Sequence, residues 1–270
     1  MIKDIHYLQS SYRLPEAEHH YGKNVHILKH PFLFTTLAGL CEPKCTQPLV
    51  NTLLNTLYRE LVTLVLNQEF PQKKTKIETR MRAMHPEGEF EGLLIDADTK
   101  VVCVNLARAG TVPSQICFDA FNYVLKPEGV RQDHIAINRK VDDQERVVGT
   151  NLGGVKIGGS VDNYFVVIPD PMGATGSTIK TAMEIYSERG KAKKFIAIHL
   201  IVTPEYLSLV TKEYPELQIY AIRLDRGLSP EKCLNTVPGT HWKEERGLNT
   251  KQYIVPGGGG LGEVINNSYV

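Results

Sequence analysis

The sequence has little that would tie it to a membrane, a nucleic acid or an oxidising compartment. Its 270 residues carry 31 basic and 30 acidic side chains, a formal charge of +1. No long-range field therefore favours nucleic acid or an anionic bilayer, and any anion site has to be local. Five cysteines, an odd number in a chain this long, make no disulfide framework, and reduced thiols are expected. Cys41 and Cys45 have no second ligand pair at zinc-like spacing, so they are assigned to core or turn. The nine histidines are scattered, each expected at the surface or satisfied in the core. The longest apolar runs, such as Phe195 to Val202, are too short to span a bilayer, and the opening MIKDIHYLQSSYRLPE holds no apolar stretch of signal-peptide length. A cytoplasmic, unexported chain is the expectation, in which Asn266-Asn267-Ser268 is a chance match to a glycosylation acceptor.

What is present is concentrated in YFVVIPDPMGATGSTIKTAMEIY, Tyr164 to Tyr186. Tyr164 to Ile168 is an unbroken apolar and β-branched run, as in a central parallel strand covered on both faces. Ile179, Ala182, Met183 and Tyr186 recur at i, i+3, i+4 and i+7, the buried stripe of a helix. The loop between them lies at a helix N-terminus, where free N–H groups and the positive end of the dipole favour an anion. Gly173 and Gly176 are expected to let the backbone approach a phosphate, with Thr175, Ser177 and Thr178 as hydroxyl donors. A Walker loop is excluded because Lys180 comes too late after Gly176.

The rest of the chain alternates strand and helix patterns without a low-complexity linker or repeat, which favours an α/β fold in one domain with appended elements. The part up to about Met84 is largely helical in pattern, with Leu49, Leu53, Leu54, Leu57, Leu61, Leu64 and Val65 as a packing stripe. Val101 to Leu106 is a buried strand, Arg108-Ala109-Gly110 a turn, and Ile116 to Tyr123 a helix. His134 to Asn138 is a shorter strand, followed by the charged stretch Arg139 to Arg146 and a glycine patch, Gly153 to Gly159. That region is expected to form a mobile arm. Phe195 to Val202 and Gln218 to Leu224 are further strands, separated by a helix from near Pro204. Ligands bind beyond the carboxyl ends of such strands, which would gather Asp170, Arg108 and the turn after Leu224 into one cleft.

Asp170-Pro171-Met172-Gly173-Ala174-Thr175-Gly176-Ser177-Thr178 resembles the phosphoribosyl-diphosphate signature of type I phosphoribosyltransferases, most closely that of uracil phosphoribosyltransferases. The resemblance runs from about His26 to Glu263. His26 to Pro31 is similar to that family's opening segment, Ile77-Glu78-Thr79-Arg80 to an early helix end, and Leu106 to Gly110 to its pyrophosphate turn. Ile219 to Leu228 and Tyr253-Ile254-Val255-Pro256-Gly257 are similar to the strand before the uracil loop and to the start of that loop. Gly257, Gly259 and Gly262 spell a dinucleotide fingerprint by accident, since the chain ends at Val270 without room for the remaining Rossmann elements.

The resemblance implies a type I phosphoribosyltransferase fold: a central, mostly parallel sheet flanked by helices, with a C-terminal base-binding hood and a flexible arm. Residues 1–25 would be an extension, an interface arm or disordered, residues 26–270 the domain, and about 253–264 the uracil loop. It implies transfer of ribosyl phosphate to N1 of uracil in pyrimidine salvage, with Mg²⁺, as a homodimer or higher assembly. Phosphoribosyl diphosphate would be bound by Asp170 to Thr178, Arg108 and Arg139. Ala174 to Thr178 would take the 5-phosphate, Asp170 the ribose hydroxyls, Arg108 the leaving diphosphate, and Arg139 would close over it. Asp170 and Arg108 are the catalytic candidates, since displacement through an oxocarbenium-like state needs no protein nucleophile. Uracil would be read by main-chain groups of Ile254, Gly259, Gly260 and Leu261. The chain departs from the family at Gly260, where relatives carry an acid, and at Val264, where they carry an arginine. Glu263 is the candidate metal ligand and a substitute for the missing acid. Two alternatives stay open: a catalytically weak relative that binds phosphoribosyl diphosphate or a nucleotide as a sensor or assembly partner, and a transferase for another nucleobase.

Overall fold

Strand and helix alternate because apolar runs of period two and stripes of period 3.6 alternate along the chain. The computed structural model describes residues 12–141 and 147–268. In chain order it contains β1 (Val25–Ile27), α1 (Pro31–Leu40), α2 (Leu49–Glu69), β2 (Gln72–Glu78), β3 (Glu89–Ile95), β4 (Val101–Ala107), α3 (Thr111–Val124), β5 (Val130–Val141), β6 (Val147–Lys156), β7 (Phe165–Pro169), β8 (Met172–Gly173), α4 (Ser177–Ser187), β9 (Lys194–Val202), α5 (Pro204–Glu213), β10 (Gln218–Leu224), α6 (Glu231–Leu234) and α7 (Leu261–Asn266). The main sheet runs β1-β10-β9-β7-β4-β5-β6, with β8 appended to β9. Every pair in it is parallel except β5–β6.

The central strands are mostly apolar because helices cover both faces. Val101, Cys103, Phe165, Val167, Ile196, Ile198, Tyr220 and Ile222 enter one core with α1, α2, α3 and α7. Their neighbours Val102, Val104, Val166, Ile168, Ala197, Ile219 and Ala221 enter a second core with α4 and α5. The α4 stripe is Ile179, Ala182, Met183 and Tyr186, all buried, as their spacing predicts. In α2 the stripe starts one residue later than expected: Val50, Leu54, Leu57, Leu61 and Val65 are buried, while Leu49 is 50 % exposed at the helix start. Among the described residues no helix is long and apolar enough to cross a membrane.

Two segments depart from the sequence expectation. The region up to Met84 is not helical to its end, because Gln72–Glu78 pairs antiparallel with Glu89–Ile95 as a separate two-stranded sheet. Its strand is largely exposed and has no apolar face to betray a period of two. Cross-strand pairs Lys74–Glu91 and Lys76–Glu89 tie it instead. The expected strand at His134–Asn138 is the middle of a longer one, Val130–Val141, which forms a hairpin with Val147–Lys156. The glycines from Gly153 begin inside the return strand. Residues 12–24 pack on the body: Tyr21 is 2 % exposed, stands edge-on to Trp242, and donates its hydroxyl proton to Glu245.

Candidate functional site

Four parallel strands end at one rim of the sheet, and each is followed there by a polar residue: β4 by Arg108, β7 by Asp170, β9 by Thr203 and β10 by Asp225. A cleft of about 680 Å³ opens at this rim. Its lining includes Arg108, Asp170, Met172, Ala174, Thr175, Gly176, Ser177, Thr178, Ile254, Gly259, Gly260, Leu261 and Glu263. Residues separated by some 150 positions thus share one concave surface, as strand-end topology requires. Pro171 and Gly173 do not line it. The Pro171 carbonyl accepts from Leu200 and Ile201 N–H, and a Cβ on Gly173 would lie 2.9 Å from Val202 Cγ1 and 3.2 Å from the Tyr206 ring. Glycine at 173 answers to packing of the loop against β9 and α5. Arg139 lies on β5, two residues beyond the cleft residue Ile137; its side chain falls outside the described residues.

The loop before α4 is held from below and open above. Gly176 is the N-cap with φ 86°, a left-handed conformation that favours glycine, and no side chain caps the helix. Ser177 N–H donates to Thr175 Oγ1 at 3.4 Å; the N–H groups of Thr178 and Ile179 have no intrahelical acceptor and begin at the cleft wall, where an anion would satisfy them. Thr175 and Ser177 hydroxyls lie 3.0 Å apart. Thr203, fully buried, donates through Oγ1 to the Ala174 carbonyl at 2.7 Å.

Asp170 is 8 % exposed, at the end of a strand buried on both faces. Its N–H donates to Ile198 O at 3.0 Å, and its carbonyl faces His199 Nδ1 at 2.5 Å. A carbonyl only accepts, so Nδ1 carries the proton, and Nε2 accepts from Tyr206 Oη at 2.7 Å. Burial pulls the His199 pKa down to about 4, opposed in part by the bond to Asp170; the imidazole is therefore neutral at physiological pH. Burial and the Asp170 carboxylate both push the Tyr206 hydroxyl up. This relay has no local sequence signal, since its three members come from three elements.

Arg108 is exposed beyond β4, follows a cis peptide to Ala107, and donates through Nη1 to Ser268 Oγ. The C-terminal segment thus reaches back to the turn after β4. That segment is fastened by an ion pair at the end of β10. Arg223 donates to both Asp225 oxygens, at 2.6 and 2.8 Å, and to the Gly257 carbonyl at 2.8 Å. Asp225, 2 % exposed, accepts from Gly257 N–H at 2.7 Å. Gly257 is clasped at both backbone groups. The loop stem is fixed by the Glu205 carboxylate, which accepts from Gly247 and Leu248 N–H. Beyond it, Leu261 and Ile265 are buried in the α1–α2 core. Asp225 stands behind the cleft rather than on its wall, while Lys251, Gln252, Tyr206 and Ile137 line it without having been singled out by sequence. Lys251 and Gln252 directly precede the Tyr253 segment, which is the one signal that pointed to them.

Residues 27–241 match the family model for uracil phosphoribosyltransferase. A curated uracil phosphoribosyltransferase of Thermosipho africanus is 32% identical over 209 residues, 76% of this chain and 84% of that protein. Another, of Variovorax paradoxus, is 27% identical over 243 residues, 90% of this chain and 97% of its own length. Among solved structures, the AQ2163 protein of Aquifex aeolicus superposes with a TM-score of 0.69 at 19% identity, covering 91% of this chain and 99% of that one. At that identity the likeness is one of fold.

Proposed function

Because the chain belongs to the uracil phosphoribosyltransferase family and is a phosphoribosyltransferase, we propose that it transfers the 5-phosphoribosyl group of phosphoribosyl diphosphate to N1 of uracil, forming UMP and diphosphate. The observation that carries this reading is that the anion-binding loop, Asp170 and the main chain of Gly259 to Leu261 face one cleft. A phosphorylated sugar and a flat base have to meet in such a place.

In this reading the first turn of α4 and the hydroxyls of Thr175, Ser177 and Thr178 hold the 5-phosphate. Asp170 accepts hydrogen bonds from the ribose hydroxyls, and its negative charge beside the ring favours the cationic oxocarbenium-like state. The His199–Tyr206 relay fixes its main chain so that the carboxylate is preorganised. The bond from C1 of the ribose to the diphosphate oxygen breaks as N1 of uracil bonds to C1. The electron pair leaves with the diphosphate, and Arg108 stabilises the developing charge. The N1 proton of uracil passes to the departing diphosphate or to water, and no nucleophilic Ser, Cys or His is required. Backbone groups from Ile254 to Leu261 read the pyrimidine edge once water is displaced.

Among the described residues no three His, Cys, Asp or Glu side chains come together as a metal cage. The carboxylates on the cleft wall, Asp170 and Glu263, offer hard oxygen donors. Such a set fits Mg²⁺, which is held by one or two carboxylates plus substrate phosphates and retains waters. When bound, the ion would neutralise charge on the diphosphate. A cytoplasmic role in pyrimidine salvage and assembly as a homodimer or higher homo-oligomer belong to the same proposal, and sedimentation velocity tests the assembly.

The test is UMP formation from uracil, phosphoribosyl diphosphate and Mg²⁺, with cytosine, hypoxanthine and orotate in parallel. Turnover of uracil alone is expected. Turnover of a different base would transfer the assignment to that base. Calorimetric binding of phosphoribosyl diphosphate without turnover would make the chain a ligand-binding relative, the reading that Gly260 in place of an acid favours.

A further inference from the structure

The glycine run of the C-terminal loop is not uniform in what it asks of its glycines. Gly257 and Gly259 have φ of 61° and 72°, left-handed values that favour glycine for the backbone alone. Gly258 packs against Cys41, whose sulfur would lie 2.9 Å from an added Cβ. Gly260 has φ −79°, open to any residue, and the three atoms nearest its added Cβ all belong to the carboxylate end of Glu263, Oε2 at 2.1 Å and Cδ at 2.8 Å, so a side chain at 260 would make that flexible end swing away. Glycine at 260 therefore leaves room for the carboxylate of Glu263, folded back as the Glu263 N–H donates to the Gly260 carbonyl at 3.0 Å.

That carboxylate is half-buried on the cleft wall, and no hydrogen bond or ion pair engages it among the described residues. It faces the same cleft as the loop before α4, so a polyanionic ligand there would repel it unless a cation lay between them. A hard dication with oxygen ligands removes that repulsion. Resting on the transferase reading above, we infer that Glu263 supplies the carboxylate that takes up the divalent cation arriving with the diphosphate, and that Gly260 is glycine to give that carboxylate its place. The two residues then act as one unit.

The test is titration calorimetry of the full chain with phosphoribosyl diphosphate, once with Mg²⁺ and once with EDTA. Glu263→Gln is expected to weaken binding about tenfold to a hundredfold with Mg²⁺ and to change it little in EDTA. Gly260→Ala keeps the carboxylate but occupies its space, and reproduces most of the loss. In Gly260→Ala/Glu263→Gln the losses do not add, because each removes the same contact. Gly260→Asp/Glu263→Gln, which moves the acid into the shared space, restores much of the Mg²⁺-dependent affinity. Equal weakening with and without Mg²⁺, or additive losses in the double variant, overturns the inference. A thermal midpoint for each variant separates these outcomes from failure to fold. Should the unaltered chain not bind phosphoribosyl diphosphate at all, the transferase reading falls and takes this inference with it. Binding that Glu263→Gln leaves untouched sinks this inference alone.

Discussion

The phosphate-loop side of the cleft stands on the middle of the sheet, whereas the C-terminal side hangs from its rim. Beneath Asp170 lie β7 and β9, buried on both faces, and the loop is fastened by main-chain bonds, a buried threonine and a neutral histidine. The glycine-rich loop has little apolar surface of its own before Leu261. Its position comes from the clasp of Arg223 and Asp225 on Gly257 and from Glu205 at its stem. The first side is positioned by burial and the second by a few charge-assisted hydrogen bonds. Substitutions on the sheet side should therefore change chemistry in a rigid frame, and those on the rim should change where the base sits.

The largest effect is expected at Asp170. Its N–H and carbonyl are both held by hydrogen bonds that the substitution keeps, so Asp170→Asn should leave the fold intact while lowering kcat for UMP formation by about 10²–10³. Circular dichroism and a thermal midpoint beside the assay check both halves. A variant retaining more than about a tenth of the rate would remove the carboxylate from the chemistry and blur the distinction between the two sides.

Next in size is Arg223→Met, which leaves a 2 % exposed Asp225 without its cation. Breaking such a pair should cost about 3 kcal/mol of stability, read by urea unfolding. KM for uracil should rise while KM for phosphoribosyl diphosphate stays nearly constant, and Arg223→Lys should recover part of the stability but little of the clasp, since one ammonium cannot span two carboxylate oxygens and a carbonyl. Parallel rises in both KM values would mean that the rim does not act on the base side separately.

The same division explains what could be read in advance. Val101 to Leu106, Phe195 to Val202 and Gln218 to Leu224 were legible as strands because sheet covered on both faces leaves a near-continuous apolar run, interrupted only by single polar residues such as Asn105, His199 and Arg223. The loop at 170–178 was legible because its acid, glycines and hydroxyls are contiguous. The hairpin of Gln72–Glu78 with Glu89–Ile95 was not, since its stabilising pairs join residues 13 to 17 apart and exist only once the register is known. His199 and Tyr206 read as ordinary strand and helix residues until the fold sets one under Asp170 and the other against it. Arg223 looks like a charge at a strand end, and only the return of the chain to Gly257 gives it a purpose. Contiguous chemistry was visible, and tertiary chemistry was not.

A smaller effect tests whether the sheet side depends on burial as argued. His199 is fully buried with its pKa at about 4, against 6.5 for an ordinary histidine. Below 6.5 the unfolded chain takes up a proton that the native chain refuses until about pH 4, so stability is full above 6.5 and falls as the pH drops across that window. At pH 5 the loss should be about 2 kcal/mol. His199→Gln removes this titration, and its unfolding free energy should fall less between pH 7 and 5 than that of the unaltered chain. Equal slopes in urea titrations would show that the imidazole is not the group being strained by acid.

The smallest effect belongs to the outer face of the helix whose N-terminus lies at the cleft wall. Lys180 lies between Glu213 at 2.6 Å and Glu184 at 3.1 Å, and both carboxylates push its ammonium pKa up, Glu213 most. The site is open to water, where such pairs are screened and ordering two long side chains offsets most of the attraction. Lys180→Met should therefore move the thermal midpoint by no more than about 2 °C and leave KM for phosphoribosyl diphosphate unchanged, although Lys180 is only two residues beyond Thr178 on the cleft wall. A clear rise in that KM would mean that the loop is positioned from its solvent side as well, and the contrast between a buried footing and a clasped rim would have to be redrawn.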